Sequence, residues 1–130
     1  MILKGRTIYA GSAEGTALVS QKNISFFGGV DPDTGIVLEK GHDLEGQSIS
    51  QKVLVFPTGK GSTVGSYTLY RLKANGKAPL AILNHVCEPI TAVGCIISEI
   101  PCLDQVDISL IQTGSHITVD AENGCLEISE

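Results

Sequence analysis

A run of apolar residues, closed by a proline and followed by glycines, constrains this chain more than any other feature. Residues 53–56 read Val-Leu-Val-Phe, and Pro57 follows them. A continuous run of this kind predicts a strand buried on both faces rather than one face of a helix. Thr58 to Thr63 hold two glycines, and Val64 to Lys73 carry an imperfect helical stripe of apolar residues. The segment therefore predicts a strand, a glycine loop and a helix.

The following residues extend this unit. Asn75-Gly76 is a helix-ending signal, and Pro79 to Asn84 predict the next buried strand. Two strands joined by a helix predict a parallel pair with a crossover connection. Glu88-Pro89 opens a second helix that Pro101 stops, and a short strand is expected around Cys102-Leu103.

The two ends of the chain read as β structure. Residues 117–121 and 126–128 alternate apolar and polar side chains around Glu122-Asn123-Gly124, which predicts a hairpin with an Asn-Gly turn. The first fifty residues predict short strands at Ile2-Leu3, Thr16–Val19 and Ile36–Leu38, with a structured loop at 26–35 and no helix. We therefore expect one α/β domain over residues 1–130, with buried parallel strands, crossover helices and a C-terminal β-hairpin.

Composition excludes several classes of protein. The chain has 130 residues, of which 42% are hydrophobic and 18% charged, which is the composition of a folded domain. Its net charge of -5 gives no basic surface for nucleic acid. The N-terminal residues lack the pattern of a signal peptide, and no apolar stretch is long enough to span a membrane. We therefore expect a cytoplasmic protein with neither nucleic acid nor membrane as partner.

The four cysteines do not predict a metal site made by this chain alone. Cys87, Cys95, Cys102 and Cys125 form no C-x-x-C pair and have no histidine at a zinc-finger spacing. Buried and reduced thiols are the expected interpretation in a cytosolic core.

The glycine loop is the first candidate site. Backbone N–H groups at the start of a helix are unpaired and lie at the positive end of the helix dipole, so anions bind there. The loop is not a nucleotide-binding P-loop, because Gly61 separates Lys60 from Ser62. Two interpretations of Ser62 remain on residue chemistry alone: an N-cap of the helix, or a reactive side chain.

Other polar residues also allow two interpretations. Asp31, before a proline, either orients a substrate or caps its own loop. His42 either contacts a partner or is simply exposed. Asn84 ends a buried strand, where open α/β sheets place ligand-binding groups, and we favour it as a site residue. His85 and His116 show no pattern.

Four blocks in order resemble a known family nearly from end to end. They are FGGVDP at 27–32, GHDLEG at 41–46, VFPTGKGSTVGSY at 55–67 and NHVCEPITAVG at 84–94. Together they resemble the small subunit of the aconitase X family. The resemblance implies a swivelling β/β/α domain, which matches the elements predicted above.

The resemblance also implies a site. In aconitase-like enzymes the corresponding loop presents a serine that, as an alkoxide, removes a proton from the carbon next to a carboxylate. Ser62 is that base by resemblance. Gly61, Thr63, Lys60, Asn84 and Asp31 are the expected substrate-binding residues. The implied cofactor is an iron–sulfur cluster, expected as 4Fe–4S, carried by a large subunit in a heterodimer or higher assembly, where the exposed iron acts as a Lewis acid.

The chain departs from aconitase after the serine. Aconitase has an arginine just after its serine pair, whereas Thr63 and Val64 follow Ser62 here. The cation that holds the substrate's carboxylate or phosphate is therefore unassigned among Lys60, Arg71 and a residue of the large subunit.

The expected activity is that of a hydro-lyase active only with its large subunit. The resemblance implies dehydration of mevalonate 5-phosphate to trans-anhydromevalonate 5-phosphate in an archaeal-type mevalonate pathway. The nearest alternative is dehydration of cis-3-hydroxyproline, which lacks a phosphate. A non-catalytic scaffold is a further alternative.

A phosphohistidine carrier is the remaining alternative. Residues 114–120 and 124–128 are similar to the closing hairpin of the swivelling domain in phosphoenolpyruvate-dependent phosphotransferases. Such carriers place their histidine in a small-residue loop before a helix, and no histidine of this sequence has that setting. A chain that works only with a large subunit is also expected to expose an apolar patch around the Ser62 loop.

Overall fold

The structure, a computed structural model, describes residues 1–129. Over these residues the chain forms eight strands, two α-helices and one short 3-10 helix, Ile108–Leu110. In chain order the main elements are β1 (Ile2–Lys4), β2 (Arg6–Tyr9), β3 (Ser12–Val19), β4 (Val53–Phe56), α1 (Gly65–Ala74), β5 (Ala81–Asn84), α2 (Pro89–Ser98), β6 (Cys102–Asp104), β7 (His116–Asp120) and β8 (Cys125–Ile128).

The strands follow the order β1-β8-β7-β3-β4-β5-β6-β2. The central strands β3, β4, β5 and β6 are parallel, and α1 and α2 connect β4 to β5 and β5 to β6. The long strand β3 belongs to both halves, since residues 12–16 pair with β7 and Ala17–Val19 pair with β4. The predicted parallel strands and crossover helices are confirmed.

The side chains of β4 alternate between two apolar clusters. Leu54 and Phe56 pack with buried residues of α1 and α2. Val53 and Val55 pack on the opposite side with Ile117 of β7 and other residues of the C-terminal hairpin. This alternation explains why the run is apolar throughout, because both faces of β4 are covered. The layers are hairpin sheet, central sheet and helices, as expected for a β/β/α domain.

Helix α1 ends where the sequence predicts, whereas α2 ends before the predicted stop at Pro101. In α1 the N–H of Gly76 donates to Lys73 O (3.1 Å) and the N–H of Lys77 donates to Leu72 O (2.8 Å), which is a Schellman motif. Glu88 caps α2, and that helix ends at Glu99, whose φ of 56° is left-handed, before Pro101 is reached. Within residues 1–129, neither helix has the length and apolar character that a membrane crossing requires.

Several local predictions were wrong. The edge strand β2 was not predicted, and residues 36–38 form only isolated bridges, of Val37 with Val30 and Ile36 with Ser48. The predicted strand from Pro79 begins at Ala81. The predicted C-terminal hairpin is confirmed, but its strands are joined by four residues, 121–124, rather than by Glu122-Asn123-Gly124, because Asp120 pairs with Cys125. Gly124 supplies the positive φ, 68°, that this longer turn needs.

Candidate active-site loop

The glycine loop, residues 57–63, is fixed at both sides by backbone hydrogen bonds. Ile24 N–H donates to Thr58 O (3.3 Å), and Lys60 N–H donates to Ile24 O (3.0 Å). On the other side, Pro57 O accepts from the N–H groups of His85 and Val86, each at 3.0 Å. The loop therefore has a defined path at the carboxyl ends of β4 and β5, where open α/β sheets bind ligands.

Ser62 is exposed and lies at the start of α1 without being its N-cap. The N-cap residue is Val64, which makes no side-chain cap hydrogen bond. The Ser62 Oγ accepts a hydrogen bond from the Val64 N–H (3.1 Å), and the Ser62 carbonyl accepts from the Gly65 N–H (2.9 Å). The first turn of α1 contains no acidic residue. An anionic oxygen on Ser62 would therefore be stabilised by an amide donor and by the helix dipole.

The backbone conformation of Gly61 sets the orientation of Ser62 within the loop. Its φ of 97° lies in the region that favours glycine. A Cβ at this position would also collide with the Ser25 Oγ. The Ser25 hydroxyl donates to Phe27 O (3.1 Å), so this serine is itself held in place. No local sequence signal indicates that Ser25 contacts the loop.

Lys60 is paired with a carboxylate that sequence analysis did not single out. Its Nζ lies 3.1 Å from Glu39 Oε2, and both side chains are partly exposed. Arg71, the other candidate cation, lies 3.8 Å from Asp33 at the far end of α1. Lys60 is therefore the candidate cation that the structure brings next to the Ser62 loop.

The start of α2 packs directly under the loop. The Glu88 carboxylate accepts from the N–H groups of Ile90 (2.8 Å) and Thr91 (2.7 Å). A Cβ on Gly59 would collide with both Glu88 Oε1 and Thr91 Oγ1. Glycine at 59 thus allows the loop to approach the N-terminus of α2 closely. Glu88-Pro89 was predicted to open the helix, but its contact with the loop was not predicted.

Asn84 is fully buried and bonded to the backbone. Its Nδ2 donates to Phe56 O (3.0 Å), which joins the carboxyl ends of β4 and β5. Within the described residues, the Asn84 Oδ1 and the Thr91 Oγ1 have no hydrogen-bond partner. Asn84 therefore supports the floor of the loop, and its burial separates it from a ligand in solution.

Asp31 lies away from the loop. Its Oδ1 accepts from the Asp33 N–H (2.9 Å), which is an Asx turn. The neighbouring Pro32 carbonyl accepts from the Asn75 side chain (2.8 Å), at the C-terminal end of α1. Because α1 has 10 residues, this end is about 15 Å from the Ser62 end. The contacts of Asp31 support its loop-capping interpretation.

His42 is buried, which contradicts the interpretation of plain solvent exposure and leaves little of its surface for the alternative, contact with a partner. Its Nδ1 accepts from the Leu44 N–H (3.0 Å), which places the proton on Nε2. The Nε2 then donates to Asn23 O (3.0 Å), beside the Ile24 segment that holds the glycine loop. The imidazole therefore has a structural role. His85 is exposed, and His116 pairs with Glu14 (3.1 Å) on the other half of the sheet.

Asp43, next to His42, gives a pH-dependent contribution to stability. It accepts from the Ser20 hydroxyl (2.7 Å) and the Gln21 N–H (2.8 Å). Burial raises the pKa of Asp43, but these two hydrogen bonds, with smaller contributions from the neighbouring His42 and Lys22, together leave the pKa below its ordinary value. A lowered pKa in the folded state means stability that is present above the unfolded-state value and lost as pH falls through the folded-state value.

Asp43→Asn is therefore expected to lower the free energy of unfolding by about 1 kcal/mol at pH 7, discounted for partial exposure. The difference from wild type should shrink below about pH 4, where the unfolded carboxylate titrates. Urea unfolding at pH 7 and pH 3 measures this. Exposed Glu127→Gln is the control, and an Asp43→Asn deficit that is unchanged at pH 3 would contradict the electrostatic origin.

The thiols of this chain do not fit an iron–sulfur cluster. Cys95 and Cys102 are buried, Cys87 and Cys125 are half-buried, and Cys87 Sγ lies 3.9 Å from Cys102 Sγ. The hydrogen-bonded contact with Cys102, together with burial, raises the pKa of the Cys87 thiol. For Cys102 the contact with Cys87 lowers the pKa, but Cys95 and burial raise it more. Thiolate ligands are thus disfavoured, and within residues 1–129 no three His, Cys, Asp or Glu side chains are placed so that they could hold one metal ion together.

Comparisons with known proteins find relatives that match this chain over nearly its full length. A phosphomevalonate dehydratase small subunit from Thermococcus kodakarensis is 57% identical over 100% of this chain and 98% of its own length. A protein of the same name from Methanosarcina acetivorans is 56% identical over 97% of this chain and 90% of its own. A crystal structure of Thermococcus kodakaraensis aconitase X in its holo-form matches with a TM-score of 0.98 and 56% identity, covering 100% of this chain and 99% of that one.

The family resemblance seen in the sequence is thereby confirmed. The family model of the aconitase X swivel domain matches residues 2–128, which include the Ser62 loop, both helices and the C-terminal hairpin. With this match and relatives above 50% identity, the chain belongs to the aconitase X swivel domain family.

Proposed function

We propose that this chain is the small subunit of a hydro-lyase that dehydrates mevalonate 5-phosphate to trans-anhydromevalonate 5-phosphate, in an archaeal-type mevalonate pathway to isoprenoids. The names of relatives 57% and 56% identical support the substrate. The observation that most supports this role is the exposed Ser62, whose Oγ accepts a hydrogen bond from the Val64 N–H at the start of α1. The complex would be a cytoplasmic heterodimer or a higher assembly.

In this proposal Ser62 is the proton acceptor. The reaction removes a hydrogen from the carbon next to the carboxylate and a hydroxyl from the following carbon. The proton passes to the Ser62 Oγ, and the electron pair of the C–H bond becomes the new double bond as hydroxide leaves. A serine hydroxyl is a poor base unless its anion is stabilised. The Val64 N–H and the positive end of α1 supply this stabilisation.

The iron–sulfur cluster of the family belongs to the large subunit in this proposal, since the thiols described above do not suit it. Bound there, a 4Fe–4S cluster would supply the Lewis acid for the departing hydroxyl. The small subunit contributes the base, its amide donors and the surface that brings them to the substrate.

We further propose that the loop contacts the substrate through Gly61 and Thr63, which flank Ser62, and through Lys60. The ion pair of Lys60 with Glu39 means that an anionic substrate group would compete with a carboxylate for this cation. Binding of an anionic group through Lys60 would therefore require the Lys60 ammonium to be shared with Glu39 or released from it. Asn84 would act from beneath the loop by holding the ends of β4 and β5 together.

The substrate is tested by combining this chain with its large subunit, reconstituted without oxygen, and following phosphorus NMR signals. We expect mevalonate 5-phosphate to be consumed and a new phosphate ester to appear. In parallel, cis-3-hydroxyproline is expected to be unchanged. Consumption of hydroxyproline alone would leave the family assignment intact and show that the proposed substrate is wrong.

A further inference from the structure

The outer surface of α2 lacks the polar residues that a solvent-facing helix carries. Residues 89–98 contain no charged side chain. Val93, Ile96 and Ile97 are 48%, 49% and 39% exposed. Helices at the surface of a soluble domain normally present charged residues to water on the face opposite the core. The composition of this face is therefore typical of a protein surface that is covered by a partner.

The exposed side of α2 forms one wall of an apolar groove, and α1 forms the other. The groove has a volume of about 330 Å³, and Tyr67 of α1 stands at its edge, 67% exposed. Its lining, within residues 1–129, contains no charged side chain and consists of Thr63, Ser66, Tyr67, Pro89, Ile90, Val93 and Ile97. Aromatic and aliphatic residues without charges are typical of the buried centre of an interface.

The groove is continuous with the Ser62 loop. Thr63 lines it and directly follows Ser62, and Val64 is 43% exposed at the same end of α1. Beyond the loop, the exposed Phe27 continues the apolar surface, since its backbone packs beside Gly65. The apolar patch expected around the Ser62 loop is therefore present. The charged residue of the loop itself, Lys60, is paired with Glu39.

We propose that the α1–α2 face, meaning the groove together with Val64 and Phe27, is the surface on which the large subunit docks. The inference rests on the proposed function, in which Ser62 acts on a substrate held by a second chain. Surfaces that border Ser62 must then approach that chain closely. A second copy of this chain on the same face would cover the Ser62 loop and exclude the large subunit, so the large subunit is the occupant that the geometry favours.

The test places charges in the groove without touching the loop. Val93→Asp combined with Ile97→Asp is expected to raise the Kd for the large subunit at least 30-fold by isothermal titration calorimetry. Leu110→Asp is the matched control. Leu110 is an aliphatic residue that is 47% exposed, and the 3-10 helix that contains it packs with the opposite apolar cluster through Ile108. The control is expected to bind within twofold of wild type.

The remaining measurements separate folding and self-association from docking. Circular dichroism and the Tm of each isolated variant should stay close to wild type, because Val93, Ile97 and Leu110 all lie at the surface and none belongs to the buried core. If the double variant misfolds, Tyr67→Ala, which only shortens an exposed side chain, is measured instead and should weaken binding at least fivefold. Folded variants that bind like wild type would overturn the proposal. The proposal would also be overturned if the wild-type chain formed a dimer in ultracentrifugation and the double variant were monomeric with an unchanged affinity for the large subunit.

Ser62→Ala distinguishes this inference from the proposed function. It should bind the large subunit within twofold of wild type, because the change removes one exposed oxygen. If Ser62→Ala stays active while the double variant loses the large subunit, the base assignment fails and the docking surface stands. If Ser62→Ala is inactive and the double variant binds normally, the base assignment stands and the docking surface fails.

Discussion

Replacing Ser62 with alanine is expected to lower kcat for mevalonate 5-phosphate at least about 100-fold, the scale of a positioned acid–base group. The physical reason is the loss of the only atom through which the proposed reaction moves a proton onto this chain. KM should change little, because the Ser62 Oγ is proposed to act on the reacting C–H bond rather than on the carboxylate or phosphate. Phosphorus NMR on the anaerobically reconstituted complex gives the rate.

The control variant is Ser12→Ala. Ser12 is an exposed serine at the first residue of β3, where it pairs with Asp120 on the hairpin half of the sheet. Its rate should remain within twofold of wild type. The free energy of unfolding should change little in either variant, since both side chains are exposed. A correctly assembled, cluster-loaded Ser62→Ala complex with wild-type kcat would show that the base lies elsewhere, which is also what a non-catalytic scaffold predicts.

The strand–loop–helix unit that presents Ser62 could be predicted because its signals are local. The run at residues 53–56 is apolar on every residue because both faces of β4 are covered, and few other environments tolerate such a run. Asn75-Gly76 and Glu88-Pro89 are helix-end signals whose mechanism involves only neighbouring backbone groups. Elements specified by adjacent residues were placed to within a few positions.

Features that depend on contacts between distant segments could not be predicted from one sequence. β2 has only four residues and is held as an edge strand by β6, partly through the two hydrogen bonds of Arg6 with Asp104 (2.9 and 2.8 Å). Nothing local to β2 indicates that pairing. The burial of His42 depends similarly on a carbonyl 19 residues away, that of Asn23. A histidine among glycine and acidic residues otherwise reads as an exposed one.

The candidate site shows the same division. Ser62 was located by its loop, but what fixes the loop came only from the structure: Ser25 against Gly61, and Glu88 against Gly59. Asn84 was correctly placed at the end of a buried strand, yet its side chain turns to the Phe56 carbonyl. The position of a residue in a topology can thus be deduced from a sequence, whereas the direction of its side chain depends on packing.

The packing of α1 against α2 leads to the second large effect: Gly94→Val is expected to lower the free energy of unfolding by about 3 kcal/mol. A Cβ on Gly94 would lie 3.2 Å from the Leu69 Cβ and 3.3 Å from the Ser66 Cα. Leu69 is fully buried and Ser66 donates to the Ile90 carbonyl (2.7 Å), so neither can move aside cheaply. The gain in helix propensity on replacing glycine is at most about 1 kcal/mol, so overpacking decides the sign.

Urea unfolding and the Tm measure this effect, and a Tm decrease of roughly 10 °C corresponds to it. Ala74→Val, at the exposed end of α1, is the control, and valine there should change stability by less than about 1 kcal/mol. The change also separates α1 from α2 and so displaces the helix start that presents Ser62. If Gly94→Val were as stable as wild type, the close approach of α1 and α2 at Gly94 would not be the tight packing contact that these distances indicate.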